Sequence, residues 1–179
     1  MGLGITMVII VTLLSPWLVE MLTVNEYYSA WPIVGILSWQ SLFYGFFLIA
    51  SAGIWKAEKT SLNFYIMIGA TCFGLLMNWL LVPKYAEVGA AIATAITYLF
   101  WVVISMIVSE FFWKTAFSWI IFVIQVFSGA IFVGWYINEG FTYKVYNVLM
   151  LAFLAIFIQI LTALDRTRLM LLIRSMKAN

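Results

Sequence analysis

The residues that can form hydrogen bonds inside the apolar stretches of this chain are few, and they are neutral. Gln40, Asn78, Gln125 and Gln159 stand there, with Ser38, Ser41, Thr71 and Ser128 near them. Amides of this kind suit two tasks. Facing a lumen, they exchange hydrogen bonds with the hydroxyls of a sugar without holding them tightly. Facing a neighbouring helix, each acts as interhelical glue worth about 0.6–2 kcal/mol. Gln40 and Gln125 lie near the middle of their stretches and are the lumen candidates. Asn78 is better explained as packing beside a turn.

Catalytic chemistry is poorly supplied. An enzyme needs titratable groups brought together, and here every Asp, Glu, Lys and Arg except Glu20 falls in a connection, at the end of an apolar stretch, or in the tail. Glu20 reads either as a cavity-facing acid for protons or cations or as a carboxylate within about one turn of the outer interface, and the second reading fits better. There is no histidine and one cysteine, Cys72. That excludes a disulfide or a Cys/His zinc site within one chain, and a lone Cys in an apolar run reads as a small buried hydrophobe. No nucleophile–base pair, carboxylate pair or glycine-rich phosphate loop is present. The expectation is no catalytic residue, no metal, no cofactor and no nucleic-acid partner.

These residues must be positioned by elements that lie in lipid. Hydrophobic residues make up 66% of the chain and charged residues 9%, against about half and a quarter in a soluble domain. Cutting the sequence at charged and turn-forming residues leaves six apolar segments, approximately 3–24, 31–55, 62–82, 88–109, 117–137 and 144–164. Each matches the ~20 residues that a spanning helix needs. The expected fold is all-α, a polytopic bundle of six transmembrane helices over residues 1–164, with a basic cytoplasmic tail at 165–179. Open strands are excluded because lipid cannot satisfy their backbone groups. The tail reads equally well as an interfacial helix held by anionic lipid or as a solvated end to the sixth span.

Basic residues orient the bundle. Lys56, Lys59, Lys114, Arg166, Arg168, Arg174 and Lys177 fall on the side of the termini, and only Lys84 and Lys144 on the other. Both termini are therefore expected in the cytoplasm. Lys56 and Lys59 are placed to meet a pyrophosphate at that face, but the role of topology anchor carries most of the weight. Tyr27, Trp31, Trp55, Tyr85, Trp113 and Trp135 fall near the expected interfaces, where amphipathic rings prefer to sit.

The stretch "NWLLVPKYAEVGAAIAT", Asn78–Thr94, interrupts this pattern. Pro83 cannot continue a helix's hydrogen bonds, so "VPKYAE" reads as a tight outward turn between spans three and four. Gly89, Ala93 and Thr97 then form a smooth stripe at every fourth residue, and Ala70, Gly74 and Asn78 form another on span three. Such stripes let helices approach closely in lipid.

The order N-x-x-x-x-P-K-Y-x-x-x-G-A-A-I-A-T resembles the signature of the polysaccharide-biosynthesis transporters. These are bacterial flippases for lipid-linked sugars such as the O-antigen precursors of lipopolysaccharide, within the multidrug/oligosaccharidyl-lipid/polysaccharide exporter superfamily. Asn78, Pro83, Lys84, Tyr85, Gly89, Ala90, Ala91, Ala93 and Thr94 fall in register. Upstream, "LLSPWLVEML", "EYYSAWPIVGIL" and "ASAGIWKAEKT" are similar in order, so the likeness covers most of residues 5–110. Two positions depart from it. Ala86 stands where the family usually has Gly, and a left-handed backbone there would cost Ala roughly 1 kcal/mol. Glu87 stands where the next residue is usually uncharged.

The resemblance implies a protein of the bacterial cytoplasmic membrane that passes a lipid-linked oligosaccharide from the inner to the outer leaflet by alternating access. Family members usually have twelve to fourteen spans in two lobes. The chain would then be the C-terminal lobe, either a piece of a longer flippase or a half-size transporter, with a missing N-terminal lobe or a second half as partner. Alternatives are a drug or cation exporter of the same superfamily, which usually needs cavity carboxylates that are scarce here, and a non-transporting scaffold for envelope synthesis.

Overall fold

The computed structural model describes residues 2–112 and 119–139, and every regular element among them is a helix. In order these are α1 (Gly2–Leu22), a 3-10 helix (Asn25–Ala30), α2 (Trp31–Ala50), α3 (Ala52–Lys56), α4 (Thr60–Phe112) and α5 (Trp119–Glu139). Four helical stretches are long and apolar enough to cross a membrane: Leu3–Leu22, Asn25–Lys56, Thr60–Phe112 and Trp119–Asn138. Four rather than the expected six are found because spans three and four both fall within α4, and the span at 144–164 lies outside the described residues. Gln159 and the tail at 165–179 lie outside them too.

The described residues group into two compact units. Residues 11–112 form one, and residues 2–10 with 119–139 belong to the other. In the second unit α5 buries Phe122, Gln125, Phe132, Val133 and Tyr136 and exposes Ile120, Val123, Ile124, Phe127 and Ile131. Buried positions recurring every three or four residues make one helical face, and the opposite apolar face suits lipid.

In the first unit, α1 contains Pro16. Its ring supplies no N–H to the carbonyl of Thr12, one turn earlier. The hydroxyl of Ser15 donates to that same carbonyl at 2.8 Å, and both residues are fully buried. The proline thus leaves no orphaned acceptor, which is how spanning helices tolerate it. The neighbouring helix comes very close at the same level: a Cβ on Gly35 of α2 would lie 2.9 Å from the Thr12 methyl.

A straight helix of 53 residues would run about 80 Å at 1.5 Å per residue, more than twice the ~30 Å hydrocarbon core. α4 does not run straight. Ala86 has φ 46° and ψ −125°, and the chain doubles back there. Residues about equally far from Ala86 meet: Gly74 faces Thr97, with a Cβ on Gly74 falling 3.0 Å from its methyl, and Phe73 stacks on Phe100 with centroids 4.3 Å apart. α4 is therefore an antiparallel hairpin of two arms. Pro83 does not end the first arm, as the sequence suggests; the helix continues through Tyr85 and breaks three residues later, at Ala86.

α2 and α3 pack on this hairpin. Phe47 stacks on Trp101 at 4.1 Å, and Tyr44 meets Tyr98 edge-on at 6.5 Å. α2 stops at Ser51 and restarts as α3, which ends in a Schellman motif. There the N–H of Lys59 donates to the Ile54 carbonyl and that of Glu58 to the Trp55 carbonyl. Glu58 occupies the left-handed position with φ 57°. Lys59 then places its ammonium 4.7 Å from the centroid of the Phe112 ring, joining the start of one hairpin arm to the end of the other.

Candidate functional site

The signature residues converge on the tip of the α4 hairpin. Gly89 carries the closest approach: a Cβ there would lie 2.4 Å from the backbone oxygen of Leu81, so no larger residue fits without moving the main chain. Ala91 and Ala93 are buried beside it. The side-chain amide of Asn78 donates to the Gly74 carbonyl at 2.9 Å. Thr94 and Thr97 donate to the carbonyls of Ala90 and Ala93 at 2.8 and 2.7 Å. These bonds return to the residue's own helix, so the polar groups are satisfied without interrupting the contact between arms. Pro83, Lys84, Tyr85, Ala86 and Glu87 are exposed at the turn, and Ala90 is half-buried.

The backbone at Ala86 keeps the positive φ that glycine would favour. Its φ and ψ match the first central position of a type II′ turn, where Gly predominates. An alanine held there stores about 1–3 kcal/mol of strain. The hairpin contacts on either side hold the residue in place.

The two lumen candidates fall in different units. Gln40, on α2, is half-buried. It lies one turn before Tyr44, so it shares the helix face that the aromatic contacts direct at the second arm of α4. Gln125, on α5, is 2% exposed, and its backbone carbonyl accepts a 3.0 Å hydrogen bond from Ser128. Glu20 is exposed near the end of α1, as an interface carboxylate would be. Cys72 is also exposed, not buried: it follows Thr71 on the side of the first α4 arm that turns away from the second. Among the described residues no group of His, Cys, Asp and Glu could hold a metal.

The structure adds buried polar groups that sequence reading passed over: Asn63 and Trp101 in α4, with the fully buried hydroxyl of Ser105. One signal was available. Trp101 lies in the interior of the 88–109 segment, away from the interfacial depth where a membrane Trp is ordinarily found.

Comparison with protein-family models, with curated proteins and with solved structures gave no match.

Proposed function

We propose that the chain is a lobe of a membrane transporter that carries lipid-linked oligosaccharide from the inner to the outer leaflet of a bacterial cytoplasmic membrane. The observation that carries the proposal is the run Asn78–Thr94, whose order and spacing resemble the flippase signature. The hairpin gives those residue types a physical reason: glycine at the closest backbone approach and small residues buried between arms. The full topology is six spans with both termini cytoplasmic. The two arms of α4 serve as spans three and four, the apolar run 144–164 is the sequence's candidate for the sixth, and a second lobe completes the cavity.

In this reading each neutral amide, Gln40 in one unit and Gln125 in the other, is a separate candidate for contact with sugar hydroxyls, while the polyprenyl tail remains in lipid. A neutral lining fits a passenger that must be released as well as bound. It also disfavours a cation exporter, since Glu20 is exposed at the end of α1 rather than enclosed.

The test uses proteoliposomes containing this chain with its complementary lobe and a fluorescent polyprenyl-diphosphate oligosaccharide. Protein-dependent movement of the label to the outer leaflet is expected, reported by a membrane-impermeant quencher. Replacing both Gln40 and Gln125 with Ala should abolish it. Transport at the wild-type rate in the double variant would remove these residues from the lumen. Binding of the labelled lipid without movement would favour the scaffold.

A further inference from the structure

Four polar side chains in the unit of residues 11–112 keep part or all of their surface open: Gln40, Ser41 and Tyr44 on α2, and Tyr98 on the second arm of α4. Tyr44 is 47% exposed. Ring contacts fix the two tyrosines side by side, with centroids 6.5 Å apart, and each leans on the Trp101 ring, at 6.5 and 5.6 Å. Phe47 stacks on Trp101 in turn and holds it. Gln40 and Ser41 precede Tyr44 by four and three residues, so the three share one side of α2. At 1.5 Å per residue Tyr44 lies roughly 20 Å from Trp31, where α2 begins, and Tyr98 roughly 18 Å from the turn at Ala86. The hydrocarbon core is ~30 Å thick. Both rings therefore sit far below the interfacial depth where membrane tyrosines ordinarily stay.

A polar side chain on a lipid-facing surface looks different. Thr71 is exposed on the outer side of the first α4 arm, beside exposed Cys72, Leu75 and Leu76, and its hydroxyl donates to the Met67 carbonyl at 2.9 Å. Ser38, Thr94 and Thr97 likewise donate within their own helices. Among the described residues no hydrogen bond engages the side chains of Gln40, Ser41, Tyr44 or Tyr98. Hydrocarbon offers an unmet polar group nothing in exchange, and the penalty is heavy. This face therefore belongs toward a polar medium. Its chemistry narrows the ligand. None of the four residues is charged, so an ionic group would find no counter-charge among them. Plain hydrocarbon would leave all four polar groups unmet. A sugar ring suits both parts: its apolar C–H face lies on an aromatic ring, and the hydroxyls at its edge meet amide and hydroxyl groups that donate and accept.

We propose that Tyr44 and Tyr98, flanked by Gln40 and Ser41, form a stacking platform for a neutral sugar ring on a water-exposed wall of this unit. The ligand rests on the transport reading above; the exposure of the wall to water does not.

The test uses proteoliposomes of the full chain with its complementary lobe, carrying Ser41→Cys or Gly45→Cys. Gly45 lies one turn beyond Ser41, and nothing lies within 4 Å of a Cβ added there, so it serves should Ser41→Cys fail to fold. A membrane-impermeant maleimide is supplied on both sides, and the labelled sites are read by mass spectrometry. The reagent needs a thiolate, which forms in water and not in hydrocarbon, so the introduced thiol should react at least about tenfold faster than the native Cys72. A polyprenyl-diphosphate oligosaccharide should slow that reaction. Adding Tyr44→Leu should raise the lipid concentration needed for protection by about 2–10-fold, whereas Tyr44→Phe, which keeps the ring, should retain most of it. Labelling no faster than that of Cys72 at both positions would overturn the proposal, because the face then lies in lipid. Protection that survives Tyr44→Leu unchanged would also overturn it. So would rapid labelling that the sugar lipid leaves unaltered while fluorescent lipid still crosses the same vesicles; the transport reading then stands without the platform. Sugar lipid that neither crosses nor protects overturns the transport reading and the platform together, and rapid labelling in that case still places the wall in water.

Discussion

Replacing Gly89 with Ala offers the sharpest check on the hairpin. The added Cβ would stand 2.4 Å from the Leu81 oxygen and 2.8 Å from its carbonyl carbon. Both atoms are backbone, so no rotamer change can make room. The arms must separate by about 1 Å at the tip to restore ordinary contact, and overpacking of this kind costs about 1–3 kcal/mol, occasionally more. Glycine to alanine inside an unobstructed helix has the opposite sign, a gain of about 0.5–1 kcal/mol. Gly69 provides that control: nothing lies within 4 Å of its added Cβ, and it sits in the first arm of the same hairpin. Gly74 is intermediate, because its obstruction is the side chain of Thr97 at 3.0 Å. The assay is thermal unfolding of purified protein in nanodiscs, followed by the loss of a monodisperse size-exclusion peak. Gly69→Ala should raise the midpoint by about 1–4 °C, Gly74→Ala should change it little, and Gly89→Ala should lower it by about 2–12 °C. If Gly89→Ala proves as stable as Gly69→Ala, the arms do not approach at Leu81 and the doubled-back geometry is wrong.

Other changes follow from single contacts. Ala86→Gly should stabilise by about 1–2 kcal/mol in the same unfolding assay, by releasing the positive-φ strain. Glu58→Gly should stabilise by about 1 kcal/mol, since it frees the left-handed position of the Schellman motif and removes an acid from a helix C-terminus. Ser15→Ala should destabilise by about 0.5–1.5 kcal/mol by removing the hydroxyl's bond to the Thr12 carbonyl; Ser15→Thr keeps the hydroxyl and should recover much of the loss, which circular dichroism melts would show.

Much of the fold is legible in the sequence because helices long and apolar enough to cross a membrane obey simple rules. The lengths of the apolar runs place α1, α2 and α5 to within a few residues, since a run must match a fixed thickness. The stripes through Gly74 and Gly89 are visible because closely packed helices in lipid leave little choice but small residues. The break after Pro83 is visible too, but its site is not. Proline disfavours the helix through local sterics, whereas the turn at Ala86 is set by where the two stripes come into register. The buried polar groups are the least legible. Ser15 and Ser105 are the same residue type in similar apolar surroundings, yet one completes a proline turn and the other has no partner. The difference lies in which neighbour each meets, and that depends on packing between helices. Gln40 and Gln125 stand out in the sequence as neutral amides, but sequence does not reveal that one is half-buried and the other enclosed.

The hairpin is clasped at both ends, by the Gly89–Leu81 approach at its tip and by the Lys59–Phe112 contact at its base. Two arms pinned at both extremities behave mechanically as a single strut. Any tilting of this strut relative to α2 must be absorbed at the breaks on either side of α3, at Ser51, where α2 stops, and at Ala57–Glu58, past the end of α3. That short link has the form of a hinge, in which a few residues at element ends take up the angular change. Stiffening it would resist that angular change without altering either arm of the strut.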